Sequence, residues 1–343
     1  MHVGIDGSRC VLDKSTGVER YCLLVLPPLI KELKKKGHKV TVYARKDSSI
    51  FTGAIVKTSD LRYLWSHLYL GIKAQFDGVD CLFVPSHVLP IIRPKKNVIY
   101  IHDVCFEEFP KVYPFFQRLY LRLTGANAVR TSSVITHSFA TKNQIENIFG
   151  AGRVSVVKPA SILVVKNEKS IAWPKPYLLF VGRIETKKNL FMLLEAYDLL
   201  LINNPEIKHN LVLIGKDGYG AQEINHFAEK LRNKNRIIFY GYATDGLRDQ
   251  AMREASGVVL PSLCEGSSLV LLEARATRVP FVASACEPCI EAGGNAGIYV
   301  KENLVANWVV ALKNLILKPV TPAPVPNRNW EDVAREISEI ITS

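Results

Sequence analysis

Ten short runs rich in Val, Ile, Leu and Phe punctuate the chain, and almost everywhere they alternate with longer stretches of helical patterning. Five fall in the first half, at His2–Asp6, Lys39–Ala44, Cys81–Val84, 98–101 and Ser133–Thr136. Five fall in the second, at Tyr177–Val181, 211–214, 236–239, 258–260 and 281–283. Near-continuous apolar strands separated by helices suit parallel sheets covered on both faces. Two such sets in series predict an α/β protein of two doubly wound domains. The break between them is expected at residues 166–176, a polar stretch with two prolines. A second break is expected at residues 318–326, where four prolines end any helix and stiffen the connector. Asn329-Trp330-Glu331-Asp332 then reads as a helix start with acids in its first turn.

A length of 343 residues suits two domains, and 48% apolar against 22% charged residues excludes a disordered chain. No apolar run reaches the roughly 18 residues of a membrane span, and Met1 to Asp6 do not read as a secretory signal. Seven scattered cysteines then suggest a reduced, cytoplasmic chain without a disulfide framework. The net charge of +12 is confined to one half: residues 1–170 hold 25 Lys and Arg against 13 Asp and Glu, and the rest hold 19 of each. That asymmetry points to an anionic partner of the first half. The basic positions gather at Lys31, Lys34, Lys35, Lys36 and Lys39, then at Arg93, Lys95 and Lys96. A third group interleaves Lys111, Arg118 and Arg122 with Tyr113, Phe115, Phe116 and Tyr120. It fits a helix lying in a membrane interface, and equally a solvated helix end beside core aromatics. Zinc-finger spacings and base-stacking motifs are lacking, so nucleic acid is not the expected partner.

In open parallel sheets ligands bind beyond the carboxyl ends of strands, so the chemistry is sought just after each strand, facing a central cleft. Gly182-Arg183-Ile184-Glu185-Thr186-Lys187-Lys188-Asn189 puts cations at a strand-to-helix turn, where Arg offers a fork and Lys a point charge to a diphosphate. A solvated loop has the same composition. Pro261 to Glu273 sets Glu265 and Glu273 around Gly266, Ser267, Ser268 and Leu269. The serines can open a helix and present N–H groups, and the glutamates can grip vicinal hydroxyls. The plain alternative is a cap followed by an ordinary helical glutamate. His102-Asp103 follows a strand and suits a polar or acid–base role, although a lone histidine is more often structural. Thr16-Gly17-Val18-Glu19-Arg20-Tyr21 places Gly17 where backbone can approach a ligand. The three-glycine dinucleotide fingerprint is missing, which disfavours nicotinamide or flavin chemistry. Cys286 and Cys289 have half-zinc-site spacing without a second half and read as loop cysteines.

Taken in order, these segments resemble the retaining glycosyltransferases with two Rossmann-like domains, the GT-B fold, family 4, nearly from end to end. Tyr177 to Asn189 is similar to the family segment opening the second domain. Gly215 follows the next strand, Arg236 to Tyr242 resembles the nucleobase-side strand, and Ala255 to Glu273 resembles the two-glutamate signature. Gly17 to Tyr21, Pro85-Ser86-His87 and Ile101-His102-Asp103 are similar to a subgroup of bacterial polysaccharide mannosyltransferases. The resemblance implies domains at 1–167 with 330–343 and at 168–329, the last helix returning to the first domain. It implies that Arg183 and Lys188 hold the donor diphosphate, that Glu265 and His102 face the transferred sugar, and that Glu273 grips the ribose. It places Gly17, Gly182, Gly215, Gly266, Ser267, Ser268 and Leu269 along the donor and Tyr242 at the base. Gly266-Ser267-Ser268 stands where relatives have Gly-Phe-Gly, and the usual glycine after the linker strand is replaced within Val157 to Ser161. Those departures bear on donor identity. The implied reaction moves a mannose- or glucose-type hexose from a GDP- or UDP-linked donor to a glycan or lipid-linked acceptor, with no metal and no cofactor. An anionic membrane surface, at the cytosolic face of the inner membrane, is the further partner expected. A nucleotide-sugar epimerase and a non-catalytic nucleotide-sugar-binding protein are the alternatives.

Overall fold

A computed structural model describes residues 1–10, 17–61, 64–150, 152–161 and 172–343. Thr16 and residues 166–171 of the expected domain break lie outside the described residues. The chain forms two compact units, Met1–Ala160 with Arg328–Ser343 (unit 1) and Ser161–Asn327 (unit 2).

Unit 1 contains β1 (His2–Asp6), β2 (Lys39–Ala44), β3 (Ile55–Thr58), β4 (Cys81–Val84), β5 (Lys96–Tyr100), β6 (Ser133–Thr136) and β7 (Arg153–Val156). Unit 2 contains β8 (Tyr177–Val181), β9 (Asn210–Ile214), β10 (Ile237–Gly241), β11 (Gly257–Leu260), β12 (Phe281–Ser284) and β13 (Ile298–Val300). The sheet orders are β3-β2-β1-β4-β5-β6-β7 and β10-β9-β8-β11-β12-β13, with the strands within each sheet parallel. Both follow the doubly wound order 3-2-1-4-5-6, so each sheet has a switch point where its chain reverses direction across the sheet. In unit 1 that point lies between β1 and β4, and in unit 2 between β8 and β11. The ten expected strands all form, with ends shifted by a residue or two at β5, β9, β10, β11 and β12.

Helices cover both faces of each sheet, giving two buried clusters per unit. The helix Gly17–Lys35 buries Tyr21, Val25, Leu29 and Leu33 along one stripe and ends on Lys34 and Lys35, which favour the negative end of the helix dipole. Its partner is the helix Trp330–Thr342, whose Val333, Ala334, Ile337 and Ile341 complete the same core. The expected start at Asn329 is a full capping box, with Asn329 receiving the Asp332 N–H and Asp332 receiving the Asn329 N–H. The aromatic-basic group resolves differently from a set of core residues. On the helix Phe115–Thr131 the core takes Gly125, Ala128 and Val129, while Phe115 and Phe116 are 68% and 83% exposed. Arg118 and Arg122 lie 3.9 and 3.6 Å from Glu107. No helix among the described residues is long and apolar enough to cross a membrane.

Candidate active site

The switch point of unit 2 brings together the two loops singled out in the sequence. The loop after β8 carries Gly182 to Asn189, and the loop after the neighbouring β11 carries Pro261 to Ser268. Their backbones join through Leu263 N–H, which donates to the Lys187 carbonyl at 3.0 Å. Lys188 Nζ donates to Glu265 Oε1 at 2.6 Å, and the Ser262 hydroxyl donates to the same oxygen at 2.7 Å. Both charged side chains are largely buried, so the pair is held in place and weakly screened. Arg183 stands more open to solvent, with Nε 3.7 Å from Glu185 Oε2, and Lys187 lies 3.8 Å from the other oxygen of Glu185.

A third loop braces the first. Ile184 N–H donates to the Lys216 carbonyl, Gly218 N–H to the Ile184 carbonyl and Thr186 N–H to the Tyr219 carbonyl, at 2.9, 2.8 and 2.9 Å. Gly215 is required at this crossing, because a Cβ there would run into the carbonyl of Gly182. Lys216 Nζ rides 5.7 Å above the ring of Tyr242, which is half-buried beyond β10. Gly266 is buried and Ser267 half-buried. Ser268 caps the helix Leu269–Ala276 by accepting the Leu271 N–H at 3.1 Å, so Leu269 is the first helical residue.

Glu273 is on that helix and 4% exposed, with Oε1 3.5 Å from Arg248 Nη2. Arg248 also lies 3.4 Å from Asp245. Arg248 and Ser262 were not read as site residues from the sequence. Arg248 stands 25 positions before its partner, a spacing with no local periodicity to betray it. Cys286 lies in the loop just before the helix Glu287–Gly293, as expected, but Cys289 lies inside that helix, which corrects its reading as a loop cysteine.

In unit 1, His102 follows β5 and lies in the interior with both ring nitrogens engaged. Nε2 donates to the Pro85 carbonyl at 2.9 Å, and Nδ1 lies 2.7 Å from His137 Nε2. Burial pushes His102 down to about 3 and His137 well below the usual histidine value, with neighbouring histidines adding to both. His87 hydrogen-bonds the Asp103 carbonyl at 3.0 Å. His137 and Tyr100 join this cluster without any sequence signal, since His137 is 35 residues from His102. Gly17 begins its helix, and a Cβ there would meet open space.

In fold the chain is a GT-B protein. It overlays on the crystal structure of WaaG, a glycosyltransferase involved in lipopolysaccharide biosynthesis, with a TM-score of 0.71 at 15% identity, covering 99% of this chain and 95% of that one. Anabaena Alr3699/HepE in complex with UDP-glucose gives a TM-score of 0.70 at 17% identity over 99% and 95%. Residues 165–336, half of the chain, match the family model Glycosyl transferases group 1, and the chain belongs to that family. It is 28% identical over 233 residues to O-antigen chain mannosyltransferase B of Escherichia coli, a match covering 64% of this chain and 60% of the relative's length.

Proposed function

We propose that this protein is a retaining, metal-independent hexosyltransferase that moves a mannose- or glucose-type sugar from a GDP- or UDP-linked donor to a glycan or lipid-linked acceptor in surface polysaccharide synthesis. The carrying observation is the Lys188–Glu265 pair at the unit 2 switch point, with Arg183 on the same loop. In this reading the two cations take the donor diphosphate, Glu265 turns to the sugar and Glu273 accepts the ribose hydroxyls. The bond from sugar C1 to the phosphate oxygen breaks while the acceptor oxygen bonds C1 on the same face. The acceptor's proton passes to the departing phosphate. Negative charge grows on that phosphate, and fixed cations there supply most of the rate enhancement. The mannosyltransferase name of the Escherichia coli relative and the UDP-glucose bound by the Anabaena neighbour support the donor class.

The same reading puts the acceptor at a membrane face. Phe115 and Phe116 project from a helix that also carries Arg118 and Arg122, which suits insertion beside anionic headgroups. Retention on anionic vesicles at low salt, lost on neutral ones, is the expected result, and equal failure on both removes this part.

The test of the reaction is a thermal-shift screen with GDP-mannose, UDP-glucose, UDP-N-acetylglucosamine and the bare nucleotides, followed by acceptor-dependent transfer. Arg183→Ala is expected to lower turnover by about a hundredfold, the size of one lost oxyanion-type contact. A near-normal rate would sink the clamp. Sugar or nucleotide release at full rate without acceptor would favour an epimerase.

A further inference from the structure

Three polar side chains of unit 1 are strung between two backbone carbonyls. The Pro85 carbonyl lies 2.9 Å from His102 Nε2, and His102 Nδ1 lies 2.7 Å from His137 Nε2. His137 Nδ1 lies 3.0 Å from the Tyr100 hydroxyl, which in turn lies 2.9 Å from the Val157 carbonyl. All three side chains are buried.

A carbonyl oxygen only accepts. His102 Nε2 must therefore carry a hydrogen at one end, and the Tyr100 hydroxyl must point outward at the other. Four contacts need four hydrogens. Two neutral imidazoles and one phenol bring three. The neutral chain is one hydrogen short, so two lone pairs face each other at one contact. A single added proton satisfies all four contacts and places its charge on the histidine pair.

We infer that His102, His137 and Tyr100 share one exchangeable proton, and that His137 and Tyr100 are positioning residues that hold the His102 ring through it.

The groups around the chain set how readily that proton enters. Burial opposes it first, and His87, with its ring 5.5 Å from that of His102, opposes it next. Asp103 favours it and Arg9 opposes it. Tyr21, from the helix Gly17–Lys35, packs its ring 4.8 Å from that of His137 and carries no charge, and its hydroxyl acts on that of Tyr100, adding one contact and one hydrogen so that the shortfall of one stands. From the C-terminal segment Arg328 and Glu336 both act on Tyr100, and they are paired at 2.6 Å. The unmade hydrogen bond therefore works against desolvation, and the Tyr100 hydroxyl is what leaves it unmade.

This makes Tyr100→Phe the decisive variant. It removes two contacts and one hydrogen, leaving two contacts and two hydrogens, which two neutral histidines satisfy. The midpoint of the histidine pair, read from imidazole nitrogen shifts of histidine-labelled protein, is expected to lie about one pH unit lower in Tyr100→Phe than in wild type. His137→Phe cuts the chain beside His102 and is expected to lower the His102 midpoint in the same direction. Unchanged midpoints in either folded variant overturn the shared proton. For the positioning role, the acid limb of the kcat profile should move with the midpoint in Tyr100→Phe, and a limb that stays in place overturns it. That second readout rests on the proposed placing of His102 beside the sugar. The titration uses no substrate, so a failure of the donor-site reading and a failure of the shared proton are told apart.

Discussion

Glu273 and Arg248 meet at 3.5 Å, so the two belong to one device. Replacing Glu273 with Gln keeps the shape of the side chain and removes half of its accepting capacity. Donor affinity is expected to fall about tenfold, the size of one hydrogen bond to a charged group. Calorimetric titration with the donor found by the thermal-shift screen measures it, and an unchanged dissociation constant removes the ribose role. Sequence reading reached Arg183, Lys188, Glu265 and Glu273 because each sits just after a strand or one helix further on, where parallel-sheet topology concentrates ligand contacts. It did not reach Arg248, Ser262, Tyr100 or His137. Those residues matter through a partner that only the folded chain delivers, such as Ser262 and Lys188 meeting on one oxygen of Glu265.

Among the elements, the strands that escaped the sequence reading have a common cause. β3, β7 and β13 all lie at sheet edges and are only partly buried: β3 and β7 break their apolar residues with Lys57, Arg153 and Ser155, and β13 is only three residues long. Central strands such as β4 and β11 are buried at every position and were unmistakable. Turn chemistry was equally legible at Asn329, where side chain and backbone spacing satisfy one another. Asn329→Ala is expected to cost about 1 kcal/mol, seen as a lower urea midpoint with an unchanged slope. Gly215→Ala tests a loop crossing instead of a cap. The added methyl would push the Gly182 carbonyl away and carry Arg183 with it. Activity should fall far more than stability, and full activity in a stable Gly215→Ala protein would show that the crossing does not set the clamp.

For the whole molecule, pH acts through the buried histidines. Their folded values are depressed below 6.5, so the unfolded chain binds more protons as pH falls. The stability they contribute is present above that value and is lost below it. Between pH 7.5 and 5.5 His102 and His137 together should remove about 3 kcal/mol, from about 1.4 kcal/mol per unit for each group below its unfolded value. Urea midpoints at the two pH values measure this, and His137→Phe should flatten the dependence. The sign of the charge distribution was plain in the sequence, whereas this inward-facing pair was not, because burial is a property of the completed core.

Completion of that core has an order imposed by protein synthesis. Unit 2 is one continuous stretch, but the helix Trp330–Thr342 that finishes unit 1 is made after all of it. While the ribosome works through unit 2, Tyr21, Val25 and Leu29 of the first helix have no Val333, Ile337 or Ile341 to cover them. The first helix of unit 1 is thus sealed only after unit 2 has been made, and a nascent chain halted before residue 330 should be the one that chaperones hold and proteases reach first.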